Sequence, residues 1–310
     1  MVTAQATAAS PQPLAIPGLV LYPDFVTPVE QADIIEQADR APWCGRGIAP
    51  NPEMHRRTQH YGFVFSYRHR KILSECHEPL PEFLAGVTER VTQLPDWTPR
   101  TGPDANLMVL VNEYNPGQGI MPHKDSSAIF GPAIGSLSLL SPCLMTFTKI
   151  KPKPMKSKPE ADAQAGADMA RLSTDSNPTG PLVACGEEVI VDPEVMAKLP
   201  DSISVYLPPR SLLLMTGIGR DAYTHTISKD MTERLPPPDS LEIADVAASS
   251  LDKPSPPEHP SVNALTLQKA QFERERRISL TFRTVRAVAV DDKMEALPSH
   301  RDATTMAYTK

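Results

Sequence analysis

The chain is poor in cysteine, and the few it has stand far apart. Cys44, Cys76, Cys143 and Cys185 are its four cysteines in 310 residues, with no CxxC pair among them. Neither a zinc ribbon nor a disulfide framework is expected from that scatter, and reduced thiols in an intracellular protein fit it better. Basic charge is not in excess either. With a formal net charge of −6, the field of the whole chain does not attract nucleic acid. A local basic patch stays open. No window approaches the roughly 18 apolar residues of a membrane span. The opening MVTAQATAASPQP lacks a charged segment followed by an apolar one, so it does not read as a secretory signal. The expectation is a cytoplasmic or nuclear protein, or both, with no membrane partner. No repeat of solenoid period is visible.

Proline, by contrast, is abundant. There are 34, about twice the share expected at an average of roughly 5%, and they are clustered. Two blocks, about 149–181 and 230–262, combine Pro, Lys, Ser and Asp. The first buries too little apolar surface to order itself and is expected to be a disordered insertion, and the second, which holds PPP and PSPPEHP, reads as an irregular block. The lysine-rich block reads as a solvated linker or as an aid to an anionic partner. Residues 1–13 and 291–310 read as tails, which leaves 14–290 as the domain. Its 40% hydrophobic content supports a real core. TPVEQADIIEQADRAP has helix start signals: Thr27 as N-cap, Pro28 at the first helical position and Glu30 closing a capping box. LPEFLAGVTERVTQL predicts a second helix. ANLMVLVNEY, Ser136–Ser141, Cys143–Thr148, SISVYLPPRSLLLMTG and RRISLTFRTVRAVAV predict strands. Two front helices followed by many short strands fit a compact β core with flanking helices, a sandwich or jelly roll.

NEYNPGQGIMPHKD places His123 and Asp125 two residues apart after a turn. On a strand, positions i and i+2 share a face, so an imidazole and a carboxylate would point the same way. A second histidine from a later strand would complete a facial set for a divalent metal. His225, His259 and His300 are the candidates. His225, in RDAYTHTI after the apolar run SLLLMTG, is the best placed. In RRISLTFR, Arg277 and Arg283 fall on one strand face. Two arginines aimed into an apolar barrel are costly to bury without an anion, and a dicarboxylate matches the guanidinium fork. Singly, these residues also read as a turn histidine, a loop cap and a surface ion pair.

Taken in order, NEYNPGQGIMPHKD, PPRSLLLMTGIGRDAYTHTI and RRISLTFR resemble the AlkB-like family of Fe(II)- and 2-oxoglutarate-dependent dioxygenases. The resemblance spans about residues 16–290. It implies a double-stranded β-helix, a jelly roll with helices packed outside. It implies iron held by His123, Asp125 and His225, and dioxygen as the oxidant. Arg277 would take the far carboxylate of 2-oxoglutarate, with Arg283, Asn112 and Tyr114 completing that pocket. The spans from His123 to His225 and from His225 to Arg277 are long for a compact member. Each holds one of the proline-rich blocks, and surface loops tolerate insertions.

Substrate signals are weaker. RRTQHYGFVFSYRHRK carries Tyr61, Phe63, Phe65 and Tyr67 at alternating positions between basic ends. It reads either as a half-buried strand with solvated ends or as a surface that holds a nucleic-acid backbone and stacks a base. On the second reading Arg56, Arg57, His60 and Tyr61 contact substrate. By resemblance, repair-type members carry an acid soon after the metal aspartate, where this chain has Ser126 and Ser127. The segment is most similar to the branch that modifies wobble uridines in tRNA, whose RNA-binding and methyltransferase domains do not fit in this chain. An oxygenase acting on nucleic acid, RNA before DNA, is therefore the first expectation. A protein side chain as substrate is the second, and a binding module with a degenerate site the third.

Overall fold

The structure is a computed structural model that describes residues 10–97, 106–151, 192–237, 240–243 and 271–286. Most of the tails, most of both proline-rich blocks and the end of RRISLTFRTVRAVAV lie outside the described residues. Strands are numbered in chain order. Edge to edge, the larger sheet runs β1 (Gln12–Pro13), β2 (Leu19–Tyr22), β10 (Leu212–Met215), β7 (Phe130–Leu139), β15 (Arg277–Val285), β5 (Leu107–Tyr114), β3 (Thr58–Ser66) and β4 (Lys71–Glu78). The smaller runs β13 (Leu241–Ile243), β9 (Ser202–Leu207), β8 (Cys143–Lys149), β11 (Tyr223–Ile227) and β6 (Ile120–His123). This is the expected jelly-roll architecture: two sheets face to face, mainly β, with helices outside.

Alternation along β15 explains where the interior is apolar and where it is not. Ile278, Leu280 and Phe282 point outward and pack with Val109, Val111, Leu137 and Leu139. Over them lie α1 (Pro28–Arg40) and α2 (Glu82–Thr92), through Ile34, Leu84, Val87 and Val91. Arg277, Ser279, Thr281 and Arg283 take the opposite face, between the sheets. At the β2–β10–β7 end that interior is filled by Leu213, Met215 and Ile134 against Phe147, Val205, Leu207 and Tyr223. At the β15–β5–β3 end it stays polar and open, and the cavity described below lies there. The α1 cap forms as expected: Thr27 Oγ1 accepts from the Glu30 N–H at 3.1 Å, and Glu30 Oε2 accepts from the Thr27 N–H at 2.7 Å.

Four expectations need correction. Gln12 and Pro13 are not tail but pair with Leu21 and Val20. β7 begins at Phe130 rather than Ser136. Its Gly131 marks a close approach, since a Cβ there would lie 1.9 Å from Thr284 Oγ1, rather than a turn. The block 230–262 is not irregular throughout: β12 (Thr232–Arg234) pairs with β14 (Gln271–Glu273), and β13 runs parallel to β9. A buried ion pair between Glu233 and Arg274 at 3.2 Å anchors that added layer, which proline content concealed. Two short helices, α3 (Pro193–Lys198) and α4 (Gly217–Asp221), were not expected.

Candidate metal centre and co-substrate pocket

β6 and β11 pair antiparallel with His123 opposite His225. That register brings the two imidazoles to a centroid separation of 4.3 Å. β6 ends at His123, and alternation carries on for two residues, so Lys124 faces out and Asp125 is buried. One ligand atom from each of His123, Asp125 and His225 falls within 4.8 Å of the others. His123 Nδ1 lies 2.9 Å from the Met121 carbonyl oxygen. A carbonyl only accepts, so Nδ1 donates to it and Nε2 is the nitrogen left to face a metal. Burial and the neighbouring His123 push His225 down to about 4, which keeps it neutral and able to ligate. Burial alone would push the Asp125 carboxyl up. The Arg283 guanidinium and both imidazoles act against it and hold the carboxyl below its ordinary range. Arg283 Nη2 forms an ion pair with Asp125 Oδ1 at 2.9 Å, while Oδ2 is buried without a hydrogen-bond partner among the described residues. Two imidazoles and one carboxylate with an unpaired oxygen fit a divalent metal that keeps open positions.

Arg277 lies beside this cluster and is 1% exposed. Its Nη2 donates to Ser138 Oγ at 2.8 Å, and its guanidinium carbon stands 5.4 Å from the Tyr114 ring centroid. Its Nε and Nη1 have no acceptor among the described residues. The adjacent Cys143 thiol brings no negative charge, because burial pushes it up to about 11. A buried cation with unmet donors fits a carboxylate. Register explains the pocket's other walls: Arg277 sits opposite Tyr114 and Ser279 opposite Asn112. Metal centre and guanidinium share one cavity of about 830 Å³, walled also by Leu110, Met145, Met215 and Ile227. The residues present therefore fit both Fe(II) and 2-oxoglutarate.

Asn112, Tyr114, His123, Asp125, His225, Arg277 and Arg283 all line this cavity. The four residues expected to contact substrate do not form one surface. His60 is 1% exposed and within 3.3 Å of Asn51 and Thr58 side chains. Tyr61 packs edge-on against Phe83, and its hydroxyl donates to Gln59. Arg57 makes two bonds of 2.6 Å to Glu113 and lies over Trp43. Only Arg56, among these four, lines the cavity. Strand alternation sends Arg57 and Tyr61 to the face opposite Arg56, while His60 is buried against Asn51 and Thr58. Sequence reasoning missed Ser138, whose contact with Arg277 is set by strand register. Phe65 and Tyr67, expected either on a half-buried strand face or on a base-stacking surface, line the cavity. Ser279 lines it too, its hydroxyl 3.3 Å from that of Ser136.

The family model of the 2OG-Fe(II) oxygenase superfamily matches residues 18–283. Among curated proteins, the chain is 32% identical over 216 residues to the "Alkylated DNA repair protein ALKBH8 homolog" of Arabidopsis thaliana, covering 69% of this chain and 51% of that protein. It is 30% identical over 218 residues to the "Alpha-ketoglutarate-dependent dioxygenase alkB homolog 4" of Homo sapiens, covering 69% and 62%. It is 26% identical over 289 residues to the "tRNA (carboxymethyluridine(34)-5-O)-methyltransferase alkbh8" of Xenopus tropicalis, covering 93% and 34%. The matches thus span between a third and two thirds of these relatives' lengths.

Proposed function

We propose that this chain, which belongs to the 2OG-Fe(II) oxygenase superfamily and is AlkB-like within it, oxidises a nucleic acid, RNA before DNA. The reaction would hydroxylate a C–H bond or remove an N-methyl group. Its enzyme class and its cofactors, Fe(II) and 2-oxoglutarate, follow from the family and from the triad. The observation that carries the reading is the junction of His123, Asp125 and His225 with the buried, unsatisfied Arg277 in one cavity.

Fe(II) bound here with 2-oxoglutarate supplies the chemistry: dioxygen and 2-oxoglutarate are consumed, succinate and carbon dioxide form, and one oxygen atom enters a substrate C–H bond. The chain's own residues prepare that site. Met121 fixes the His123 tautomer through its carbonyl. Arg283 keeps Asp125 ionised and orients one of its oxygens. Arg277 receives the far carboxylate of 2-oxoglutarate, while Met145, Met215 and Leu110 wall the cavity against water. An N-methyl group hydroxylated here would release formaldehyde.

The substrate class rests on three supports. Two relatives carry tRNA or alkylated DNA in their names. The cavity wall includes exposed Arg70, Lys124 and Lys229 against Glu53 and Asp125, a rim suited to phosphates. Ser126 and Ser127 stand where repair-type members carry an acid, which favours RNA. A protein side chain is the second reading, favoured by Met121, 68% exposed at the cavity edge, because exposed methionine suits adaptable protein contacts. The test measures succinate released by the Fe(II)-loaded chain with total RNA, with single-stranded DNA, or with nuclease-treated protein extract. RNA should stimulate turnover most. Stimulation by the extract alone would move the protein reading to first place, and none by either nucleic acid would sink the proposal.

A further inference from the structure

Arg56 is 8% exposed and stands in the cavity wall, not on an outer surface. Alternation splits the pair Arg56–Arg57 against the pair Asn112–Glu113 on β5. Arg57 grips Glu113 on one side. On the other, Arg56 Nε donates to Asn112 Oδ1 at 2.8 Å. The backbone is pinned at that point: Gly45, at φ +81°, approaches so closely that a Cβ would lie 2.4 Å from the Arg56 carbonyl oxygen. Two chemical consequences follow. A guanidinium only donates, so the Asn112 oxygen must face Arg56 and its NH₂ group is left for another partner. The Arg56 guanidinium carbon also lies 5.4 Å from the Tyr114 ring centroid, the same distance as that of Arg277. One ring therefore serves two cations, which fixes its orientation between them.

Resting on the 2-oxoglutarate reading above, we propose that Arg56 is a positioning residue of the co-substrate pocket. It sets the Asn112 amide and the Tyr114 ring so that both face the co-substrate held by Arg277. Arg56 does not contact the substrate in this arrangement. Its conjunction with Asn112 and Tyr114 crosses two strands, and the basic run around it in sequence conceals the role.

The experiment titrates 2-oxoglutarate into the full chain loaded with Mn(II), by calorimetry, alongside Mn(II) affinity and the thermal midpoint. Arg56→Met should weaken 2-oxoglutarate by about tenfold, the loss of one charged hydrogen bond and one ring contact. Mn(II) affinity and midpoint should stay near wild type. Arg56→Lys should recover part of the affinity. Arg57→Met, whose partner Glu113 lies outside the pocket, should lower the midpoint and leave 2-oxoglutarate binding unchanged. Wild-type affinity in a folded Arg56→Met protein would overturn the proposal. So would a loss confined to RNA stimulation, or a parallel loss of Mn(II) binding with no recovery by lysine. A wild-type chain that binds Mn(II) but no 2-oxoglutarate would instead overturn the functional reading itself, since no variant would then have an affinity to lose.

Discussion

Arg277 keeps a full positive charge almost wholly out of water, with one hydroxyl partner and two unmet donors. Burying an incompletely compensated cation opposes folding, so on the co-substrate reading proposed above this residue is held for binding at the expense of stability. Arg277→Met keeps most of the volume and removes the charge. The metal-free variant is expected to be more stable than wild type by about 1–2 kcal/mol, a rise of a few degrees in thermal midpoint. Its affinity for 2-oxoglutarate should fall by about 100-fold or more, as when one partner of a buried charged pair is truncated. Saturating 2-oxoglutarate with Mn(II) should then reverse the order of midpoints, since it stabilises only the protein that binds it. A lower midpoint for the metal-free variant would mean that Ser138 and the Tyr114 ring already satisfy the guanidinium. Arg277 and the triad were readable in sequence because residue type and local spacing define them. Ser138 and the pocket-side role of Arg56 were not, because a contact between Ser138 and Arg277 exists only through the pairing of β7 with β15. Arg57 and His60 lie outside the cavity, which a charged run does not reveal: Arg57 is held by Glu113 and Trp43, and His60 by Asn51 and Thr58.

Among the strands, β6 is the most delicate. It is four residues long, sits at the edge of the smaller sheet and carries a metal ligand at its end. Its pairing depends on Gly119, where a Cβ would lie 2.3 Å from the Ile227 carbonyl oxygen and 2.4 Å from that of Ser228. Those are backbone atoms, so β6 rather than they must give way. Gly119→Ala should push β6 from β11 and part His123 from His225. Mn(II) affinity should fall by about tenfold or more, the scale seen when the support of a metal ligand is lost. The thermal midpoint should move little, because the apolar core lies under α1 and α2 and between β10 and β8. Unchanged Mn(II) affinity would show that β6, His123 and Asp125 shift together. Elements of this kind also mark the limit of sequence reading. α1, α2, β5 and β15 carry strong periodicity or caps and were readable. The start of β7 and the short β12 and β13 were not, because glycine and proline there signal close strand approach and an added layer rather than loop.

For the whole molecule, charge is arranged rather than abundant. The chain is net negative at −6, so its overall field repels a polyanion. Yet Arg70, Lys124 and Lys229 are exposed on the wall of one cavity. If RNA is the substrate, attraction must come from these few contacts and not from the whole surface. Affinity for a labelled single-stranded RNA, measured by fluorescence anisotropy between low and physiological salt, is then expected to fall along a shallow line. With about 0.7 of a log unit per neutralised phosphate on single strands, three contacts give a log–log slope near −2. Lys124→Gln and Lys229→Gln should each flatten that slope by about 0.7. A steeper slope would point to basic contacts beyond the cavity. A flat line, with turnover intact on protein extract, would mean that the rim serves a polypeptide and that the cations around the cavity meet acidic side chains instead of phosphates.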